Sequence, residues 1–302
     1  MAFNWMELVA AFAGGLFGAA IGALPAFIFT GIAVLVGAAA ALGGGSIDFL
    51  GNIAFGPVFG PHISFAGGVA AAAYAARKDQ LSSAKDLGTG LAGLGNPGVL
   101  AVGGLFGIGG YLLQKVLGLY LTGYTDTVGL TVVLSAITAR LLFGKSGVFG
   151  KLSAEAAKRG RFNPGGAEVW APWQQEWLQV STLGLGVGLM SAWIVLQFTA
   201  LDPKLAGIGG VVGFGISATS LLFLQVGVKV PVTHHITLIA ALAASLSGNL
   251  LIGGLFGLIA AIVGECSSRL MLIHGDTHID PPANAIWSMT LVVMLLDKVG
   301  IM

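Results

Sequence analysis

Charge is what this sequence has least of. Only 9% of its 302 residues are Asp, Glu, Lys or Arg, where soluble domains carry about 25%, so most of its surface must face something other than water. With 14 basic and 13 acidic residues the net charge is +1, which argues against a nucleic-acid surface and against an acidic partner. There is one cysteine, Cys266, and hence no intramolecular disulfide framework. The opening Met1–Glu7 lacks the basic stretch that begins a signal peptide, so the first apolar segment is expected to remain in the mature chain. The Gly43–Gly45 run leads to Asp48 without the Lys of a phosphate-binding loop. No nucleophile-elbow pattern is present either. The chain does not read as an enzyme and calls for no cofactor.

What is abundant is apolar: 56% of the chain, with a mean hydropathy of +0.91. Runs of roughly 18 or more apolar residues, the length that crosses about 30 Å of hydrocarbon, recur throughout. Gly supplies 49 residues, roughly twice its usual share of about 7%. Helices in lipid associate by close backbone approach at small residues, and Gly14, Gly18 and Gly22 are spaced for that. The expectation is an all-α polytopic membrane protein of about ten transmembrane helices. Residues 1–144 form a first membrane repeat, with spans in Met6–Leu42 (two, dividing near Pro25), His62–Ala76, Pro97–Leu121 and Val128–Phe143. Gly43–Pro61 between them reads as irregular backbone at membrane depth, tolerated only inside protein or along a cavity. Residues 145–176 form a polar linker with a short amphipathic helix over Leu152–Arg161, and Trp170, Trp173 and Trp177 return the chain to the bilayer. Residues 177–302 form the second repeat: Leu178–Thr199, Leu205–Val226, His235–Leu246, Asn249–Ile273 and Pro281–Leu296.

The halves match each other. Gly-Gly-Leu-Phe-Gly stands at Gly103–Gly107 and at Gly253–Gly257, 150 residues apart, and the same spacing carries Asp126-Thr127 onto Asp276-Thr277. His62-Ile63-Ser64 resembles His235-Ile236-Thr237 at a spacing of 173, which also sets Asn52 against Gln225. Such internal similarity points to duplication. Placing Arg77, Lys78 and Lys85 inside also places Arg140, Lys145, Lys151, Lys158, Arg159 and Arg161 inside, as the positive-inside rule requires. The linker is then cytoplasmic and the body is a multi-pass protein of the cytoplasmic (inner) membrane. Five spans per half make the repeats inverted. If the short segments at His62 and His235 are re-entrant instead, the repeats are parallel.

Inverted repeats with broken helices are the architecture of many transporters, with the site at the repeat interface. The function expected is a transporter or channel that moves a small solute or ion. Its pathway would be lined by Asn52, His62 and Asp126 in one half and Gln225, His235 and Asp276 in the other. Ionisable groups at membrane depth cost several kcal/mol, which is the reason to single them out. Asp126 and Asp276 also read as helix caps, and Asp280, before Pro281-Pro282, reads as a plain cap. Lys115, Glu265 and Arg269 are candidate coupling or gating charges, although Glu265 and Arg269 are spaced to pair within one helix. His274, Asp276 and His278 alternate like metal ligands, but the first half keeps only Asp126 of that set, so no metal site is expected. The partners expected are lipid, the solute and, through Gly-rich outer faces, further copies of the chain. Two rivals stand beside this reading: a non-transporting subunit of a larger membrane complex, and a metal-dependent membrane enzyme built on the His274–Asp280 loop.

Overall fold

A computed structural model describes residues 4–45 and 48–302; Ser46 and Ile47, inside the Gly43–Pro61 segment, lie outside them. Among the described residues the regular structure is helical throughout. The first half holds α1 (Trp5–Ile21), α2 (Ala23–Leu42), α3 (Ser64–Arg77), α4 (Pro97–Leu121) and α5 (Thr127–Phe143). The linker holds α6 (Ala154–Arg159). The second half holds α7 (Trp177–Leu201), α8 (Ala206–Gln225), α9 (His234–Ser247), α10 (Leu250–Ser267) and α11 (Pro281–Lys298). Five helical stretches are long and apolar enough to cross a membrane: α2, α4, α7, α8 with the turn before it, and α10 with the π-helical turn after it.

Helix starts are set by short polar side chains that accept otherwise free backbone N–H groups. Asn96 caps α4 through Gly98 N–H at 2.9 Å, and Asn249 caps α10 through Leu251 N–H at 2.9 Å. Pro97 and Pro281 fill first helical positions, where a missing N–H costs nothing.

The two halves pack alike. α1 lies on α3 and α4, and α7 lies on α9 and α10. A methyl group on Gly15 would overlap the Gly103 carbonyl; one on Gly257 would stand 2.6 Å from Gly188 Cα. Gly103 faces the Ala19 methyl, and Gly253 faces the Ala192 methyl. The spacing is therefore 173 residues for α1 and α7 and 150 for α4 and α10, as the sequence matches imply. Where Gly18 packs on the Ser64 carbonyl, its counterpart Ser191 donates a hydrogen bond of 2.7 Å to the Thr237 carbonyl.

The halves meet along two helix pairs, α2 with α8 and α5 with α11. Gly31 lies on Ala218, while Gly215 lies on Val34 and Leu35. As one chain advances the other retreats, so α2 and α8 pack antiparallel, and Gly31 and Gly215 are counterparts. Thr125 Oγ1 donates to the Trp287 carbonyl, and Gly129 lies against the Ala283 carbonyl. α5 and α11 are thus also antiparallel, overlapping only through their first two turns. α3 and α9 have 14 residues each, about 21 Å of helix, short of a 30 Å core.

Candidate functional site

A cavity of about 280 Å³ sits where the halves meet. It is walled by the inner faces of α2 and α8 and by the first turns of α3, α5, α9 and α11. Its wall repeats across the interface: Phe65 and Leu238, Asp126 and Asp280, Gly129 and Ala283, and Val132 and Ile286 hold equivalent places. Most of the wall is apolar. Its ionisable members are Asp126, His234, His278 and Asp280.

The two aspartates are built identically. Asp126 Oδ1 accepts the Gly129 N–H at 2.6 Å, and Asp280 Oδ2 accepts the Ala283 N–H at 2.8 Å. Each is the N-cap of its helix and each lines the cavity. Asp280 Oδ1 is also 3.1 Å from His278 Nε2. His278 stands edge-on to Phe65. His234 is wedged between Phe27, at 4.6 Å between ring centres, and Phe214 at 5.9 Å.

The structural counterpart of Asp126 is accordingly Asp280, not Asp276. The loop before α11 is four residues longer than the one before α5, so equal spacing lands four residues ahead of the true cap. Asp276 lies outside the cavity, exposed, where its carboxylate accepts the Lys145 N–H at 2.5 Å and the Ser146 hydroxyl at 2.6 Å. Burial raises the Asp276 carboxyl, but the Ser146 hydroxyl, the Lys145 N–H and nearby Arg140 outweigh it and hold it below its ordinary value. A depressed carboxyl stabilises the fold above its unfolded pKa of about 4 and loses that contribution as pH falls through the folded value. Thermal unfolding followed from about pH 7 to about pH 3 should show this loss, and Asp276→Asn should flatten it; an unaltered acid limb would refute the role of the tie.

The other sequence candidates scatter. His62 is buried against Gly60 and Gly110, away from the cavity. His235 is the true counterpart of His62, yet its neighbour His234 faces the cavity; His235 instead lines a second, water-sized void with Glu265. Asn52 is exposed in a π-helical turn after α2. Gln225 ends α8 and donates to the Gly88 carbonyl at 2.9 Å. The two amides are not equivalent, because α2 and α8 correspond at a spacing of 184, not 173. Lys115 pairs with Glu7 at 3.3 Å, half exposed. Glu265 and Arg269 pair at 2.8 Å, both buried, and Arg269 also donates to the Phe162 and Gln175 carbonyls. His274, Asp276 and His278 do not converge. His274 Nε2 meets the Arg161 carbonyl at 2.9 Å, while His278 turns to Asp280.

Arg140 had no place among the sequence candidates. Its side chain is 1% exposed. It donates to the Thr277 hydroxyl and carbonyl and to the Val148 and Met271 carbonyls, joining α5 of the first half to the loop of the second. An arginine among strong helix formers near a span end looks like a snorkelling cation, which hides it. Trp170 was also expected at the bilayer surface, and it reaches the cavity wall.

Residues 1–164, and again residues 151–302, match the model of a family of unknown function, DUF7973. The chain belongs to that family, and carries its unit twice. No curated protein and no solved structure matches it.

Proposed function

We propose that this DUF7973 chain is an integral membrane transporter whose small solute occupies the cavity between its two units. The observation that carries the reading is the paired wall. Two helices, α5 and α11, start beside the cavity, each capped by an aspartate that lines it. Helix starts and ionisable groups placed at a repeat interface are how membrane carriers hold solutes away from water. In this reading the ten helices other than α6 are the spans, α3 and α9 crossing together with the irregular segments that lead into them. The antiparallel contacts of α2 with α8 and of α5 with α11 support an inverted arrangement, as does the odd number of helices per unit. Leu105, Leu119, Leu178 and Leu201, all exposed, supply the apolar outer surface that lipid would cover. The basic linker lies on the cytoplasmic side by the positive-inside rule.

Access can be tested without knowing the solute. In a Cys266→Ser background, Val132→Cys and Ile286→Cys place one thiol on each of two equivalent wall positions. Membrane-impermeant thiol reagents applied to right-side-out and inside-out vesicles should label at least one of them. A carrier should expose the same thiol from both faces. Complete protection from both faces, with the protein folded, would remove the pathway reading.

A further inference from the structure

We infer that the solute is a small organic cation, an amine or a quaternary ammonium. This rests on the reading of the cavity as a solute site and specifies its chemistry. Asp126 has no ion-pair partner among the described residues, and Asp280 has only His278. No Lys or Arg stands among the described residues that line the cavity. Around the two carboxylates the wall carries five aromatic side chains: Phe27, Phe55, Phe65, Phe214 and Trp170. They form a continuous set, with Phe27 5.7 Å from Phe65 and 5.8 Å from Phe214, and Phe55 5.7 Å from Phe214. Ring faces are electron-rich and attract cations with dispersed charge, and such rings around a site are how ammonium groups are recognised.

The helix starts oppose this, because each presents about half a positive charge. Three of the four are answered locally. Asp126 and Asp280 cap α5 and α11 with their carboxyl groups. The N–H groups at the start of α3 return to the Gly60 and Pro61 carbonyls. α9, like α3, begins without a side-chain cap, and the half charge left at its start does not offset two carboxylates. A volume near 280 Å³ is at the small end of ligand sites, which suits a compact ammonium rather than a peptide or a lipid.

The test is binding to the purified full chain in detergent, by isothermal calorimetry and by the shift of thermal unfolding. Benzyltrimethylammonium and tetramethylammonium are the cationic probes; benzyl alcohol and phenylacetate are the neutral and anionic controls. The cations should bind and raise the unfolding temperature while the controls do not. Asp126→Asn and Asp280→Asn keep a competent helix cap, so they should fold and still weaken cation binding by about tenfold or more. Phe27→Leu should weaken it by a factor of about 3 to 30. Equal or tighter binding of benzyl alcohol or phenylacetate would overturn the inference, as would cation affinity indifferent to all three substitutions. Cation binding by a protein whose wall thiols are never labelled would sink the pathway and leave the site. Labelled thiols without cation preference would do the reverse.

Discussion

Arg140→Met is expected to be the most destabilising single change in the chain. The arginine is buried, and its guanidinium satisfies three backbone carbonyls and the Thr277 hydroxyl from one planar group. Removing it strands those acceptors, and each buried unsatisfied group costs about 1–3 kcal/mol. A loss of about 2–6 kcal/mol follows even if water reaches two of them. Methionine fills much of the volume, so the loss reports hydrogen bonds more than packing. Arg140→Lys should recover little, because an ammonium on a flexible stem cannot reproduce the planar fork. Gly275 packs on the guanidinium carbon, which leaves no slack for a differently shaped head. Unfolding of the purified protein by heat or denaturant measures this. A midpoint within experimental error of the parent for Arg140→Met would show that the arginine does not hold the halves together.

The second large effect concerns the duplicated helix packing. Gly107→Leu and Gly257→Leu should be comparably damaging, since the two glycines hold equivalent places. A side chain at Gly107 would drive into the Ala11 carbonyl and the Gly15 backbone; one at Gly257 would meet the backbone of Gly188 and Gly184. Overpacking usually costs about 1–3 kcal/mol, and here the obstacle is backbone on a neighbouring helix, which cannot turn aside. The upper end of that range or beyond is expected. Gly109 and Gly186 provide controls, because nothing lies within 4 Å of a Cβ placed there. Gly109→Leu and Gly186→Leu should be neutral or slightly stabilising through helix propensity. If all four substitutions behaved alike, close glycine contact would not be what assembles each unit.

The sequence made the helices readable where apolar length and capping agree. Pro97–Leu121 was legible to the residue, since Asn96-Pro97 starts it and polar residues end it. The duplication was legible through rigid glycines, whose spacing cannot drift without a clash between helices. It became unreliable wherever a loop changed length. Four additional residues before α11 made Asp276 look like the partner of Asp126 and hid Asp280 as an ordinary cap. Eleven additional residues between α2 and α3 made Asn52 look like the partner of Gln225. The cavity wall was the least legible part. His234 stands beside the better-matched His235, and Phe27 and Phe65 are two of 17 phenylalanines, with nothing in their spacing to join them. Convergence of residues from six helices is a property of packing, which no local pattern records.

Among the described residues the Arg140 cluster gathers at the boundary of the linker, α5 and the His274–Asp280 loop. There Arg140 reaches from the first half to a carbonyl of the second, and Arg161 and Arg269 reach carbonyls across the boundary between the linker and the second half. The half-exposed Lys115–Glu7 pair, by contrast, joins α4 to α1 within the first half and is of a kind worth about 1 kcal/mol or less. Two identical inverted units would open to either side with equal ease and rest half in each state. If the chain alternates as proposed, each 1.4 kcal/mol by which the arginine contacts favour one state is a tenfold bias in population. A carrier of this design would therefore not rest as an even mixture. It would wait closed on the arginine face, and binding of the solute would have to supply the energy that releases the clamp.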